Sequence, residues 1–343
     1  MRINELNITL PKKNDEEFLK INFDSLFSYD FASKQVYEFD IMDLETIIDE
    51  ENYQSVLFDI TRSIDNKQKI ITINKSMAEP IFLIHKLKEN ETIFSNSLKI
   101  KVAKDIKASL VEVFINSCAN SFYSVNRKIE LEENASLEYA KIQDISASNS
   151  MIFSLATKQK DISNLEISNF EYGNGFIVNS FENIIHSEFA NYELNGLVKL
   201  QNEATTSNLI KTIHNEKSSI SNINYKHTLK DSSKAVFKAK SIVNETALFS
   251  KAFQNCNTIL LSDDATIFAQ PHLEIYIDEL EASHGTTTGS LDKEQLLYLQ
   301  SRGISKDKAY EMLLSAFENK IVDNIKNTII KEFVQNYKRD KYV

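Results

Sequence analysis

From residue 96 to about residue 285, apolar and polar positions alternate in short runs, and helical spacing almost vanishes. Tyr192, Leu194, Gly196, Val198 and Leu200 share one face, with Glu193, Asn195, Lys199 and Gln201 mostly on the other. Ala235, Phe237, Ala239, Ser241 and Val243 repeat the arrangement, and shorter examples lie at 111–115, 137–142 and 259–261. A period of two is that of half-buried β-strands. Many short strands suit a sandwich, a barrel or a β-helix. Hairpin-built folds call for Asn-Gly or Asp-Gly turns, yet only Asn174-Gly175 and Asn195-Gly196 qualify, and the second lies inside a good strand. A solenoid turns its corners with Asn, Ser and Asp, which are abundant here. No strict repeat period is visible, so the pattern by itself leaves all three architectures open.

The texture changes at both ends. At 273–277 the alternation is clear, and a polar hinge follows, from Ser283 and His284 through Gly285 to Gly289. A helix is then predicted over 292–302. Asp292 and Gln295 fit a capping box, Leu291 and Leu296 a hydrophobic staple, and Gly303 a C′ position. Ser305 offers an N-cap for a second helix, whose apolar stripe runs from Ala309 through Met312, Leu313, Ala316, Phe317 and Ile321 to Ile325. The stripe predicts that these helices cap the end of the β-body, with Leu296 facing it, and a basic tail closes the chain at 338–341. Residues 1–95 are mixed, with a short acidic helix expected at 43–51 and strands at 69–73 and 80–84. The expected organisation is a mixed N-terminal segment (1–95), a β-core (96–285) and a C-terminal helical domain for partner docking (286–343).

Composition narrows the function classes. Of 343 residues, 42% are hydrophobic and 26% charged, as in soluble globular proteins. The net charge of −10 opposes binding to nucleic acid or to an anionic membrane. The helical pair at 292–325 is acidic, which favours packing on a neighbour over insertion into DNA. No apolar run approaches the roughly 20 residues of a membrane span, and the first residues lack a secretory h-region. Two cysteines form no disulfide framework, so a reducing cytoplasm is expected. Walker, dinucleotide-binding, nucleophile-elbow, H-E-x-x-H and C-x-x-C motifs do not occur, and no catalytic residue is expected.

Cys256 and His284 are the candidate metal ligands. Thiolate and imidazole suit iron and iron–sulfur species better than the carboxylates abundant on the surface. The alternative is a small buried hydrophobe and a turn histidine. His85, His214, His227 and His272 have no partner at ligand spacing and read as structural, and Cys118 reads as core.

The order of motifs over 234–317 carries a resemblance. It includes Ala235-Val236-Phe237, Ser262-Asp263-Asp264-Ala265, Pro271, Leu273-Glu274-Ile275, Ser283-His284-Gly285, Leu291-Asp292 and Ser301-Arg302-Gly303-Ile304, with a fainter echo at 134–143. It resembles the SufB/SufD family of the SUF iron–sulfur cluster assembly machinery. Gly285 directly after His284 is the SufD pattern, where SufB tends to have Glu. Two departures stand out. Ala282 occupies a position that is cysteine in some relatives, and Cys256 falls where SufB has its cluster-associated cysteine. The resemblance implies a mainly β fold, a right-handed parallel β-helix flanked by helices. It also implies a non-catalytic scaffold with no tightly bound cofactor, on which iron or an iron–sulfur cluster is transient. The partners implied are a SufB-like subunit, or a second copy when alone, and a SufC-like ATPase at the C-terminal helices. Alternatives are a β-helix that only positions partners, or one that binds polysaccharide; the second lacks a carboxylate-lined groove and a secretion signal.

Overall fold

The computed structural model describes residues 1–12, 14–36 and 44–342, with side chains of the last helix through Tyr337. The alternating runs are strands, most of them ten residues long, stacked into a parallel β-solenoid of about eight turns. Successive strands go alternately to two sheets. One ends with Lys234–Val243 and Thr266–Ile275, the other with Lys251–Leu260 and Glu281–Gly289. Neighbours within a sheet are one turn apart in sequence, so no hairpin is needed, and the scarcity of Asn-Gly turns follows. Asn195-Gly196 lies within Asn191–Leu200. A Cβ at Gly196 would sit 2.1 Å from the Tyr225 ring, so this glycine makes room for an aromatic side chain in the next turn.

The corners explain why no repeat shows in the sequence. Positive φ recurs at 105, 134, 162, 189, 218 and 249 on one edge, and at 91, 120, 148, 173, 202 and 231 on the other. The spacing drifts between 25 and 31 residues. Asp105, Asn120, Asn134, Ser148, Gly173, Asn202, Ser218 and Asp231 meet the left-handed requirement with short polar side chains or none. What repeats is a backbone shape that several residue types satisfy.

Two outer faces are covered. On the first sheet, Ile93, Phe122, Ile152, Val178, Leu209 and Val236 pack beneath N-terminal residues. These come from the first thirty-one residues and from helices α1 (Asp24–Ser28) and α2 (Leu57–Ile64). The N-terminal segment is therefore a cover for the solenoid, and it also supplies the first strands, since Ser33–Val36 and Lys67–Ile73, both ahead of residue 96, pair in parallel with Thr92–Val102, which overlaps it. The helix expected at 43–51 is instead a strand, Glu45–Ile48; adjacent Thr46, Ile47 and Ile48 favour extended backbone over a helix. Asp43 lies outside the described residues.

On the second sheet, Val111, Val113, Ala140, Ile142, Phe170 and Leu197 pack beneath Ile321, Val322, Ile325, Ile330 and Val334. These belong to the end of α4 (Lys306–Val322), the link after it and α5 (Thr328–Tyr342), while α3 (Lys293–Ser301) buries no residue. The helix signals are in place: the Asp292 carboxylate accepts the N–H groups of Glu294 and Gln295 at 2.8 and 3.3 Å, Ser305 Oγ accepts that of Lys308, and Gly303 has φ +85°. Their placement differs from expectation. The helices run along the flank of the solenoid instead of capping its end, and Leu296 is only half-buried. The outer face of the second sheet offers a broad apolar strip, and a strand edge cannot match it. The basic tail at 338–341 lies beyond the described side chains.

Candidate functional site

With the helices along the flank, the last turn of the solenoid has no covering element among the described residues. Thr266–Ile275 and Glu281–Gly289 each pair on one side only, with Lys234–Val243 and Lys251–Leu260. In a parallel ladder, alternate residues turn their backbone groups to opposite neighbours. Glu281 N–H bonds Ser250 C=O, so the amides of Ala282, His284 and Thr286 face the free edge. The N–H of Thr266 bonds Ser233 C=O, which places Pro271 among the edge-facing residues, where a missing donor costs no ladder bond.

Both candidate ligands lie here. On Lys251–Leu260 the buried, lumen-facing residues are Ala252, Gln254, Cys256 and Thr258. Gln254 is in register with His284, and Cys256 with Thr286. The lumen column that holds Cys256 therefore continues into the strand that carries His284, two residues out of register, and two candidate ligands 28 positions apart in sequence are brought to adjacent strands. Their surroundings are opposite. His284 is exposed, because no further turn covers it. Cys256 is fully buried, and burial pushes its thiol up to about 12. The site thus pairs an accessible imidazole with a thiol kept protonated beneath the last turn, and binding a metal at Cys256 would have to displace that proton.

His227 was read as structural from spacing, yet its Nδ1 lies 3.6 Å from Cys256 Sγ. Burial pushes its pKa down to about 3, so the ring is neutral, and Nε2 is buried without a hydrogen bond. The spacing of 29 residues is one solenoid turn. That is the signal that finds the contact, and it becomes usable only when the turn length is known. The other candidates are structural. His214 bonds Ser219 and Ser221 at 2.7 and 2.8 Å. His85 bonds Glu112 at 2.6 Å, and Cys118 is buried against Asn149. His272 points to the outer face, 3.8 Å from Glu274. Among the described residues, no three His, Cys, Asp or Glu side chains converge in a geometry suited to a metal ion. Cys256 and His284 alone are too few for a closed iron site.

A second exposed feature adjoins the first. Leu297 and Tyr298 on α3 and Met312 on α4 are large apolar side chains left in solvent. A cleft of about 410 Å³, lined by Thr288, Leu291, Leu313 and Phe317 among others, separates these helices from the last strands. No helix of the described chain is long and apolar enough to cross a membrane.

Known proteins resemble this chain in sequence. Residues 84–317 match the family described as SUF system FeS cluster assembly, SufBD core domain. The chain is 23% identical over 306 residues to the iron–sulfur cluster assembly protein SufD of Escherichia coli, covering 87% of this chain and 72% of that protein. It is 23% identical over 256 residues to SufD of Bacillus subtilis, covering 74% and 58%. Against the chloroplastic protein ABCI7 of Arabidopsis thaliana it is 27% identical over 234 residues, covering 66% and 49%. It therefore spans between about half and three quarters of the length of these relatives. With the family matched over residues 84–317, more than half of this chain and most of its solenoid strands, the chain belongs to the SufBD core family of iron–sulfur cluster assembly proteins.

Proposed function

We propose that this chain is a non-catalytic scaffold subunit of a cytoplasmic SUF-type assembly complex. In this reading the open last turn pairs with a SufB-like subunit, and the exposed face of α3 and α4 docks a SufC-like ATPase. The supporting observation is the unpaired end of the solenoid with His284 on its terminal strand. Unpaired edges are normally blunted or covered, and this edge has a proline but no covering element among the described residues. A pair of donors too few for a closed site fits a site finished by another chain. Iron or a cluster is then cargo held between subunits, not a resident cofactor of this one.

The experiment is anaerobic assembly with iron and sulfide in the complex reconstituted with a SufB-like subunit and a SufC-like ATPase. Because His284 is exposed, His284→Ala leaves folding and co-purification unchanged and lowers cluster formation. Cys256→Ser has the smaller effect, since its thiol is buried and protonated. Cluster formation at wild-type level with His284→Ala would leave a subunit that only positions its partners.

A further inference from the structure

The first sheet carries a cleft of about 340 Å³ on its outer face, roofed by the segment at Glu16 and Glu17 and by the loop at Gln54 and Ser55. Three neighbouring strands present Lys211, Lys240 and His272 there in one row, since Lys211 is in register with Lys240 and Lys240 with His272. Lys238 stands one outward position away from Lys240. This concentrates cationic side chains on one face of a chain whose net charge is −10.

The neighbouring groups have other duties. Glu182, the row's acidic end, accepts the N–H groups of Gln54, at 3.1 Å, and Ser55. Glu17 is held by the Ser55 side chain, and burial raises both carboxyls above the ordinary range. Lys238 donates to the main-chain carbonyls of Glu16 and Glu17, which fastens the roof to the sheet. Lys240 pairs with Glu274 at 2.7 Å, and His272 lies 3.8 Å from the same carboxylate. Lys211 is half-buried and makes no direct hydrogen bond or close ion pair with the described residues, the Glu17, Glu182 and Glu274 carboxylates acting on it only at longer range. A half-buried ammonium with no direct partner has its donors available for a ligand's anionic oxygens. The cavity volume is that of a small-metabolite site.

We propose that this cleft binds a small anionic metabolite, with its phosphate or carboxylate group between Lys211, Lys240 and His272. The body of the ligand lies over Leu209 toward Gln54, beneath the roof. This site is separate from the open end, since its row faces outward where His284 faces the lumen column.

The test is calorimetric titration of the full chain with inorganic phosphate and with succinate, each against chloride at matched ionic strength. Saturable binding of one of the two supports the site, and which one binds tells a phosphoryl ligand from a carboxylate. Lys211→Gln weakens that binding about tenfold or more, with an unchanged circular dichroism spectrum. His272→Gln, on an exposed side chain, gives a loss in the same direction and serves if Lys211→Gln does not fold. Absence of saturable binding to both probes overturns the proposal, and so does equal affinity in wild type and in a folded variant.

Discussion

Inside the solenoid, individual residues carry charge where aliphatic packing would be expected. Arg127 and Glu112 are both fully buried, 2.6 Å apart, with Tyr139 and His85 bonded to the same carboxylate. The arginine and the hydrogen bonds outweigh desolvation and hold the Glu112 carboxyl well below its usual range. Two neutral histidines make the opposite demand. Burial pushes His214 down to about 4 and His227 to about 3. Their folded pKa values lie below the unfolded value of about 6.5, so the unfolded chain takes up protons first as pH falls. Their contribution is complete above about pH 6.5 and is lost progressively toward about pH 4 for His214 and about pH 3 for His227. Between pH 7 and pH 5, stability is expected to fall by about 2 kcal/mol for each histidine. Chemical denaturation across that range measures this, and His214→Gln should flatten the slope. A stability independent of pH in that interval would mean that neither ring is held neutral.

At the scale of elements, corners and flanking helices make separate claims. Ile162 has φ +63° and is 56% exposed. A left-handed β-branched residue costs roughly 1–2 kcal/mol, and its exposed side chain returns little by packing. The equivalent corner one turn earlier uses Asn134. Ile162→Asn is therefore expected to raise stability by about 1 kcal/mol in urea denaturation, and a loss of stability would show that the isoleucine is held by contacts. Among the helices, Ile330 is fully buried on the second sheet while α3 buries nothing. Ile330→Asp should cost about 3 kcal/mol or more through an unpaired buried charge, whereas Leu296→Asp should cost under about 1 kcal/mol. Parallel melting curves of the two variants test this assignment, and equal costs would place α3 against the body after all. Removing everything after Ser305 would bare the apolar strip under α4 and α5. Point changes at Leu297 and Tyr298 probe docking without that damage.

At the scale of the whole molecule, both sheets are covered along their flanks, and at the C-terminal end of the solenoid each finishes in a strand with no further partner among the described residues. An uncovered edge of two strands is a template for pairing, so the isolated chain is expected to run at twice its own mass in size-exclusion chromatography with light scattering. Thr286→Pro removes a donor that faces the free edge and leaves the bonds to Lys251–Leu260 in place. It should return the chain to monomer and weaken capture of a SufB-like subunit. A variant that still dimerises would locate the interface on another surface.

Short-range physics made much of this protein legible in its sequence. Alternation gave the strands, Asn, Ser and Asp predicted bent corners, and Asp292, Gly303 and Ser305 marked helix ends where they occur. These signals depend on a few neighbouring residues, so a linear reading contains them. The order of motifs around Ser283-His284-Gly285 added the family. Tertiary structure decided what depends on the length of a turn. It set Cys256 beside His227 and on the strand next to His284, buried one candidate ligand and exposed the other, and laid the helices along the flank. A turn that varies between 25 and 31 residues leaves no fixed offset in the sequence, and burial depends on which strands a chain stacks last.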